Sequence, residues 1–281
     1  QRAKLDLKMN YLVVRKQDET VKIFLGEIGQ IIIESTAVSL TASLLCELVK
    51  RKIKVIFCDE KRSPYAELQP YSGCHNASLK IKQQMGWTQE QKTAVWTEIV
   101  LEKICNQAKT LVENGHESEA AMLTGYMREL VPGDETNREG HAAKVYFNAL
   151  FGKNFSRGQE NPINAALNYG YGLILSAFNR EVTLCGYLTH IGLCHDNMFN
   201  PYNLSCDMME PFRAIVDRKV IDIAPIEFGK KEKQELLGIL HSPVRIAGTE
   251  QTVMNAVKIY SRSVLEAIEL SDADRLNFIE L

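Results

Sequence analysis

The pattern of apolar residues changes near Asn76, and this change constrains the fold more than any other feature of the 281-residue chain. Before Asn76 the chain has short runs rich in Leu, Val and Ile, separated by polar turns, which are typical of β-strands. After Asn76 the apolar residues follow helical spacing over long segments. We therefore predict an α+β fold, with a small β-rich domain over residues 1–76 and a larger all-α domain over residues 77–281.

Local signals place the individual elements. Thr88 to Gln91 has the pattern of a capping box, and Asn161 followed by Pro162 is a typical helix start. Two prolines and a glycine predict a loop and hairpin over 59–73. The predicted strands cover 5–14, 21–25, 31–33 and 55–57, and the predicted helices cover 39–50, 88–115, 117–130, 161–179, 231–240 and 249–270.

Composition excludes several classes of protein. The formal charge is −2, so no overall basic balance indicates nucleic-acid binding, although residues 1–75 carry 12 Lys/Arg against 9 Asp/Glu. The seven cysteines include no CxxC pair, which predicts reduced core thiols of a cytoplasmic protein. No signal peptide or membrane span is predicted. Walker A, GxGxxG, GxSxG and HExxH motifs are absent from the sequence, which argues against several common enzyme classes.

Glu139 is the first residue with unexpected surroundings. On a helix it shares a face with Ala142, Ala143 and Tyr146, and an unpaired carboxylate among such neighbours is costly to bury. The alternative is that Glu139 is an ordinary first-turn glutamate, which the helix dipole favours.

Histidines and acids further along the chain form a second group. His190 and His195 are five residues apart and cannot share a helix face, so they are not an HxxxH metal pair. Asp207 and Glu210 are three apart, which puts both on one face, either as solvated acids or around a shared cation. Pro211 predicts a helix kink or a helix start at this point. Oxygen ligands with one imidazole suit Mg²⁺ or Mn²⁺, which allows a metal-dependent phosphodiester or hydrolytic enzyme.

Three segments in order resemble a known family. In chain order, these are Glu139 with the His-Ala-Ala that follows, the helix of residues 161–171 with its Asn and Tyr residues, and the segment from Gly192 to His195 followed by 203–213. Together they resemble the CRISPR-associated spacer-acquisition integrase, and the Met-Glu-Pro-Phe-Arg phrase is most similar to its type II-A branch. The similarity extends over nearly the whole chain.

The resemblance implies a concrete activity. Glu139, His195 and Glu210 would be the catalytic metal ligands for Mg²⁺ or Mn²⁺, with Asp207 as a candidate additional acid. The family works as homodimers, and two of them flank a dimer of a second, smaller adaptation protein to form a heterohexamer. That complex binds double-stranded DNA and joins the 3′-hydroxyls of a spacer precursor to a CRISPR repeat by transesterification, as part of antiviral immunity. We expect substitution of Glu210 to abolish joining and leave the protein folded.

Basic residues are the candidates for phosphate contacts, because local charge governs DNA binding. Lys50, Arg51 and Lys52 form a dense cluster at a helix end, where their alternative role is to cap that helix. Arg213 and Arg245 are candidates in the helical domain, and Arg213 could instead pair with Glu210.

Two other functions remain open at this stage. A stand-alone metal-dependent nuclease would use the same residues with water as the nucleophile. A binding module would recognise the repeat while the acids serve only a structural role.

Overall fold

The computed structural model describes residues 2–60, 64–68, 70 and 74–281. The chain forms two compact units, Gln1–Gly73 and Cys74–Leu281. The sequence analysis predicts the boundary three residues later, at residue 76. The α+β class is confirmed, because strands dominate the first unit and helices dominate the second.

The N-terminal unit contains two small sheets and one helix. One sheet has the strand order β3-β2-β1-β5 and the other has the order β4-β6-β7. The pairs β1/β5 and β4/β6 are parallel, and the other neighbouring pairs are antiparallel. The elements are β1 (Ala3–Lys8), β2 (Tyr11–Arg15), β3 (Thr20–Phe24), β4 (Gln30–Ile33), β5 (Val38–Leu40), α1 (Ala42–Lys50), β6 (Lys54–Cys58) and β7 (Pro64–Glu67).

The single strand predicted over 5–14 is wrong, because a hairpin turn divides it into β1 and β2. Met9 and Asn10 have φ angles of 46° and 67°, and this left-handed backbone reverses the chain between the two strands. The strands predicted over 21–25, 31–33 and 55–57 are confirmed as β3, β4 and β6. The loop and hairpin predicted over 59–73 lie partly outside the described residues, and β7 is their described part.

Helix α1 begins three residues later than predicted. Residues 38–40 form β5 beside β1, and Thr41 caps the helix by accepting a hydrogen bond from the backbone N–H of Leu44 at 3.3 Å. Leu44 and Leu48 point into the core of the unit. That core also contains six further buried side chains from the sheets and their connections, Leu5, Leu12, Leu25, Ile33, Ile53 and Val55.

The C-terminal unit is built around two long helices. Helix α3 packs against α4, α5, α8 and α10, and helix α6 packs against α7, α8, α9 and α10. The helices are α2 (Ala77–Met85), α3 (Gln89–Glu113), α4 (Glu117–Arg128), α5 (Arg138–Phe151), α6 (Pro162–Leu184), α7 (Asn203–Met208), α8 (Arg213–Ile223), α9 (Lys230–Leu237) and α10 (Val253–Leu270).

Both predicted helix starts in this unit are confirmed. Thr88 and Gln91 form the reciprocal capping box of α3, and Asn161 accepts a hydrogen bond from the backbone N–H of Asn164 at the start of α6. Helix α6 ends at Leu184, five residues beyond the predicted end. The predicted interruption at Pro211 is also confirmed, because α7 ends before a 3₁₀ turn at Glu210–Phe212 and α8 begins after it.

The C-terminal unit also holds a three-stranded sheet, so it is not all-α as predicted. Its order is β10-β8-β9, with β8 at Pro243–Ile246, β9 at Thr249–Thr252 and β10 at Ile279–Glu280. Ala247 and Gly248 have φ angles of 50° and 73°, which form the hairpin turn between β8 and β9. The helix predicted from residue 249 therefore begins only at Val253, after Thr252 as its cap.

The cysteines and the helices bear on two further predictions. All seven cysteines are free thiols, but Cys46 and Cys194 are exposed, so these two are not the core residues that were predicted. Among the described residues, none of the helices combines the length and apolar character required to cross a bilayer.

Candidate active site

A buried lysine lies at the centre of the candidate site. Lys103 is on the middle of α3, and its ammonium group forms ion pairs with both Glu139 and Glu210, the second at 2.5 Å. Its side chain is only 9% exposed. Burial disfavours the ammonium ion, but the charges of Glu210 and Glu139 outweigh it and raise the pKa of Lys103 above its usual value. Two predicted metal ligands therefore converge on one cationic atom.

The first turn of α5 holds Glu139 in position. Asn137 caps this helix by accepting a hydrogen bond from the backbone N–H of Gly140 at 3.2 Å. The carboxylate of Asp134 accepts from the backbone N–H groups of Arg138 and Glu139, at 2.7 and 2.9 Å. These contacts fix the helix start, so the Glu139 side chain projects towards α3 from a rigid base.

Glu210 lies in the 3₁₀ turn between α7 and α8 and is 2% exposed. Besides Lys103, its carboxylate accepts a hydrogen bond from Nε of Arg213 at 2.9 Å. Burial alone would raise the pKa of Glu210, but Arg213 and Lys103 lower it to about 2. Glu210 is therefore a buried side chain that neutralises two cations, so the expectation that its substitution leaves the fold unaffected has to be tested together with activity.

Asp207 binds the loop that carries His195. One of its oxygens accepts the backbone N–H groups of Leu193 and Cys194, at 2.6 and 3.2 Å. The other accepts the backbone N–H of His195 at 3.1 Å and lies 2.5 Å from the ring Nδ1 of the same residue. Asp207 is completely buried. It therefore orients His195, in the way that carboxylates orient metal-binding histidines, and the candidate role as an additional ligand does not fit its contacts.

His195 has its Nδ1 engaged by Asp207, so Nε2 is the ring nitrogen that could bind a ligand. The hydrogen bond to Asp207 raises the pKa of His195, burial opposes this, and the charges of Asp207, Glu210 and Glu139 add to the increase. The ring stands edge-on to Trp96 of α3, with centroids 5.9 Å apart. His190 is exposed and has no place in this cluster, although its carbonyl accepts a hydrogen bond from Asn203.

Gly192 allows the loop to approach Asp207 closely. A Cβ atom at this position would lie 2.6 Å from Oδ2 of Asp207 and would also collide with the carbonyl oxygen of His195. Only a residue without a side chain fits here, so the loop conformation depends on this glycine.

The donor types suit a divalent ion of the Mg²⁺ or Mn²⁺ kind, since two carboxylates and one imidazole are available. Glu139, Glu210 and Nε2 of His195 are the groups that would hold it. Within the part of the chain that the structure describes, however, no three His, Cys, Asp or Glu residues are arranged to bind a metal directly. The ammonium group of Lys103 lies between the two carboxylates instead.

A second buried network lies next to Glu210. The Asp217 carboxylate accepts hydrogen bonds from the hydroxyl groups of Tyr146, at 3.0 Å, and Tyr171. Burial raises the pKa of Asp217 to about 6, while the two tyrosines and Arg213 act in the opposite direction. The guanidinium groups of Arg213 and Arg157 lie over the Tyr171 ring, at 4.6 and 5.2 Å. This network holds Arg213 between Glu210 and the helix that begins at Asn161.

The two predicted basic residues of the C-terminal unit have different surroundings. Arg213 is committed to Glu210 and Tyr171 within the site. Arg245 on β8 is 60% exposed and pairs with Glu280 at 3.3 Å.

The other three basic residues, Lys50, Arg51 and Lys52, end α1 in the N-terminal unit, where all three are exposed. Within that unit, Arg51 also binds Glu47 at 2.6 Å and Asn10 at 2.7 Å.

Sequence reasoning missed Lys103 and Asp217. Lys103 follows Ile99 by four residues and Val100 by three, so it lies on the apolar face of α3. A lysine on such a face signals a buried ion pair, and this signal was present in the sequence. Asp217 occupies the same kind of position, because it lies three residues after Ala214 and three before Val220, both buried in α8.

Comparisons with known proteins relate the chain to one family. The sequence matches a family model described as "CRISPR associated protein Cas1" over residues 1–233. It is 34% identical to the "CRISPR-associated endonuclease Cas1" of Neisseria meningitidis serogroup C (strain 8013), over 99% of this chain and 93% of that protein. A Francisella tularensis subsp. novicida (strain U112) protein with the description "CRISPR-associated endonuclease Cas1 1" is 24% identical, over 93% of this chain and 89% of its own.

Solved structures share the fold at low sequence identity. A "Casposase bound to integration product" has a TM-score of 0.76 at 17% identity and covers 96% of this chain and 89% of its own. A chain of a "Cas6-RT-Cas1--Cas2 complex" also has a TM-score of 0.76 at 17% identity. The match covers 98% of this chain but only 35% of that longer chain.

Proposed function

Because the chain belongs to the CRISPR-associated Cas1 family, we propose that it is a metal-dependent DNA integrase and endonuclease that inserts short DNA segments into a CRISPR array. The observation that carries this proposal is the convergence of Glu139 and Glu210 on one buried cation, beside a histidine that Asp207 orients. The names of the similar proteins, an endonuclease and a casposase bound to an integration product, support the same reaction class.

The residues of the site divide the work. Glu139, Glu210 and His195 would hold Mg²⁺ or Mn²⁺, which when bound polarises the scissile phosphate and stabilises its developing charge. Asp207 keeps Nδ1 of His195 occupied, so that Nε2 is directed away from the loop. Arg213 donates a hydrogen bond from Nε to the Glu210 carboxylate, which limits the rotation of that carboxylate. The reaction exchanges one phosphodiester for another, so it needs no nucleotide-binding motif.

We propose two kinds of partner. Double-stranded DNA is the substrate, both as spacer precursor and as repeat. The second partner is Cas2, since the names of two structural neighbours describe complexes of Cas1 with Cas2. We further propose that the N-terminal units pair to form a homodimer, that two such dimers flank a Cas2 dimer, and that the complex works in the cytoplasm. Sedimentation of the protein at micromolar concentration tests the dimer, and a monomer would contradict it.

The decisive experiment supplies a supercoiled plasmid with a CRISPR array, Cas2, labelled duplex DNA and Mn²⁺. We expect the labelled strand to become joined to the plasmid. A duplex that ends in a 3′-dideoxynucleotide is the matched control, because it lacks the attacking hydroxyl group and should give no joined product. Plasmid cleavage without joining would instead support the stand-alone nuclease, which the endonuclease name of the Neisseria protein favours. DNA binding without either product would support a binding module.

Glu210→Gln and the exposed Glu250→Gln form a matched pair for the same assay. The first replaces a proposed ligand with a neutral amide of the same shape, and the second makes the same change on strand β9. We expect joining to be lost only in Glu210→Gln. Full activity of that variant would exclude the proposed site.

A further inference from the structure

Lys103 lies among the proposed metal ligands without being one of them. Its ammonium group contacts the same two carboxylates, Glu139 and Glu210, that the proposed function assigns to the divalent ion. With Arg213 also paired to Glu210, two positive charges balance the two negative charges of Glu139 and Glu210, so these four side chains together are neutral without any metal. A buried neutral cluster of this kind avoids the cost of unpaired charge.

A divalent ion would change this balance. It would add two positive charges beside Lys103 and Arg213, and its oxygen ligands would have to come from carboxylates that already bind the lysine. The ion and the ammonium group would therefore compete for the same two carboxylates, and like charges at this distance repel strongly in a buried site.

We propose that Lys103 is a built-in counter-ion, which holds Glu139 and Glu210 together in the metal-free protein and competes with the divalent ion for them. This inference rests on the proposed metal site. Under this inference, Lys103 sets the affinity of the protein for the metal. Its ammonium group leaves the carboxylates when the ion binds and returns when the ion dissociates.

If Lys103 had only a structural role, its removal would change metal affinity in the opposite direction. If Lys103 only fixed the two carboxylates for the metal, its removal would loosen them and weaken metal binding. If Lys103 is a competitor, its removal strengthens metal binding and lowers the stability of the metal-free protein. The sign of the change in metal affinity therefore separates the two roles.

The first test measures Mn²⁺ binding by titration calorimetry, without DNA. Lys103→Met keeps the unbranched side chain up to about the position of Cε and removes the charge, and we expect the Kd for Mn²⁺ to fall by about tenfold or more. Lys103→Arg keeps the charge and should bind no more tightly than the wild type. Lys109→Met, on the same helix and outside the carboxylate pair, should leave the Kd unchanged. An unchanged or higher Kd in Lys103→Met would overturn the inference.

The second test uses the wild-type protein, so it does not depend on a variant that folds. An amine-reactive ester labels accessible lysines, and mass spectrometry quantifies each site. Mn²⁺ should increase the labelling of Lys103 relative to Lys109, because the ion displaces the ammonium group from its partners. Equal labelling of Lys103 with and without Mn²⁺ would contradict the displacement.

The outcomes also separate this inference from the proposed function. If the wild type binds Mn²⁺, Glu210→Gln abolishes binding and Lys103→Met does not alter it, the metal site stands and the competition fails. If Lys103→Met binds Mn²⁺ more tightly than the wild type, the competition is supported. If neither protein binds Mn²⁺, both the metal site and the inference fail.

Discussion

One carboxylate oxygen of Asp207 lies 2.5 Å from Nδ1 of His195, and the same atom accepts the backbone N–H of that residue. Both the ring and the backbone of His195 are therefore bound by one buried group. The contact determines which ring nitrogen is available, and the role of Asp207 can be tested separately from those of the proposed ligands.

Asp207→Asn should weaken Mn²⁺ binding by about 10–100-fold, because the amide cannot hold the ring as the carboxylate does. DNA joining at saturating Mn²⁺ should recover part of this loss, since the ligands themselves remain. Asp222→Asn, an exposed change on α8, is the control. Joining that stays as low at saturating as at limiting Mn²⁺ would indicate that Asp207 acts in some other way.

Gly192→Ala should displace the Asp207 carboxylate, because the added Cβ would lie 2.6 Å from Oδ2. We expect weaker Mn²⁺ binding and a lower melting temperature. Gly172→Ala in α6 is the matched control, since its Cβ would meet no atom within 4 Å, and it should stabilise the protein by up to about 1 kcal/mol. The double variant Gly192→Ala/Asp207→Asn should be little worse than either single variant for metal binding, and fully additive losses would exclude a shared mechanism.

Glu210→Gln and Glu139→Gln should both abolish joining but should differ in stability. Glu210 is 2% exposed and neutralises two cations, so its loss should cost about 3–5 kcal/mol in the free energy of unfolding. The Glu139 side chain is 26% exposed and contacts only Lys103 of these two cations, so its loss should cost less. Urea unfolding without metal measures both values, and equal losses would contradict the charge balance described here.

Asp217 should make stability depend on pH in an unusual direction. Its folded-state pKa is raised to about 6, so the folded protein binds more protons than the unfolded chain between about pH 4 and 6. The contribution of Asp217 to stability therefore falls as the pH rises through this window, by at most about 3 kcal/mol. Asp217→Asn removes the titration, so the stability difference between wild type and variant should shrink towards pH 7. A difference that is constant from pH 4 to 7 would show that Asp217 has an ordinary pKa.

Replacement of Lys50, Arg51 and Lys52 by Ala tests the proposed DNA path. If these residues meet phosphates, affinity for duplex DNA should fall and the slope of log K against log salt should flatten by roughly one unit for each lost contact. If they only end α1, the melting temperature should fall and the slope should not change. The contacts of Arg51 with Glu47 and Asn10 predict some loss of stability in either case. Lys22→Ala on β3 is a control for the general loss of charge.

The sequence predicted most elements of the fold because their signals are local. The caps at Thr88 and Asn161 lie within four residues of the helix starts they define, so no knowledge of the partner elements is needed. The sequence analysis missed two hairpin turns, at Met9-Asn10 and Ala247-Gly248. Each turn has at least one residue other than glycine at positive φ. Tertiary pairing of the flanking strands imposes that conformation, and a single-residue preference does not reveal it.

The candidate site was only partly accessible to the same reasoning. The family resemblance predicted Glu139, His195 and Glu210 as site residues. In the structure, the charges of Glu139 and Glu210 act on both Lys103 and His195. The role of Asp207 depends on three backbone N–H groups that lie 12–14 residues away in the sequence. Spacing along a helix could not show this, because Asp207 lies in α7 and Glu210 lies in the 3₁₀ turn that follows, so the two do not share one continuous helix.

Helix α3 carries both Trp96, which contacts His195, and Lys103, which contacts Glu139 and Glu210. The two residues are seven apart, which corresponds to two helical turns and about 10 Å along one face. Helix α3 therefore fixes the distance between the contact with the histidine and the contacts with the two glutamates, which come from three other parts of the chain. For protein engineering, this means that the loops around the site could be exchanged between relatives as long as α3 keeps the same number of residues between Trp96 and Lys103. That number sets both the distance between the two side chains and their relative direction around the helix axis. A single residue inserted between Trp96 and Lys103 would rotate one contact point by about 100° relative to the other and should dismantle the site without touching any of its ligands.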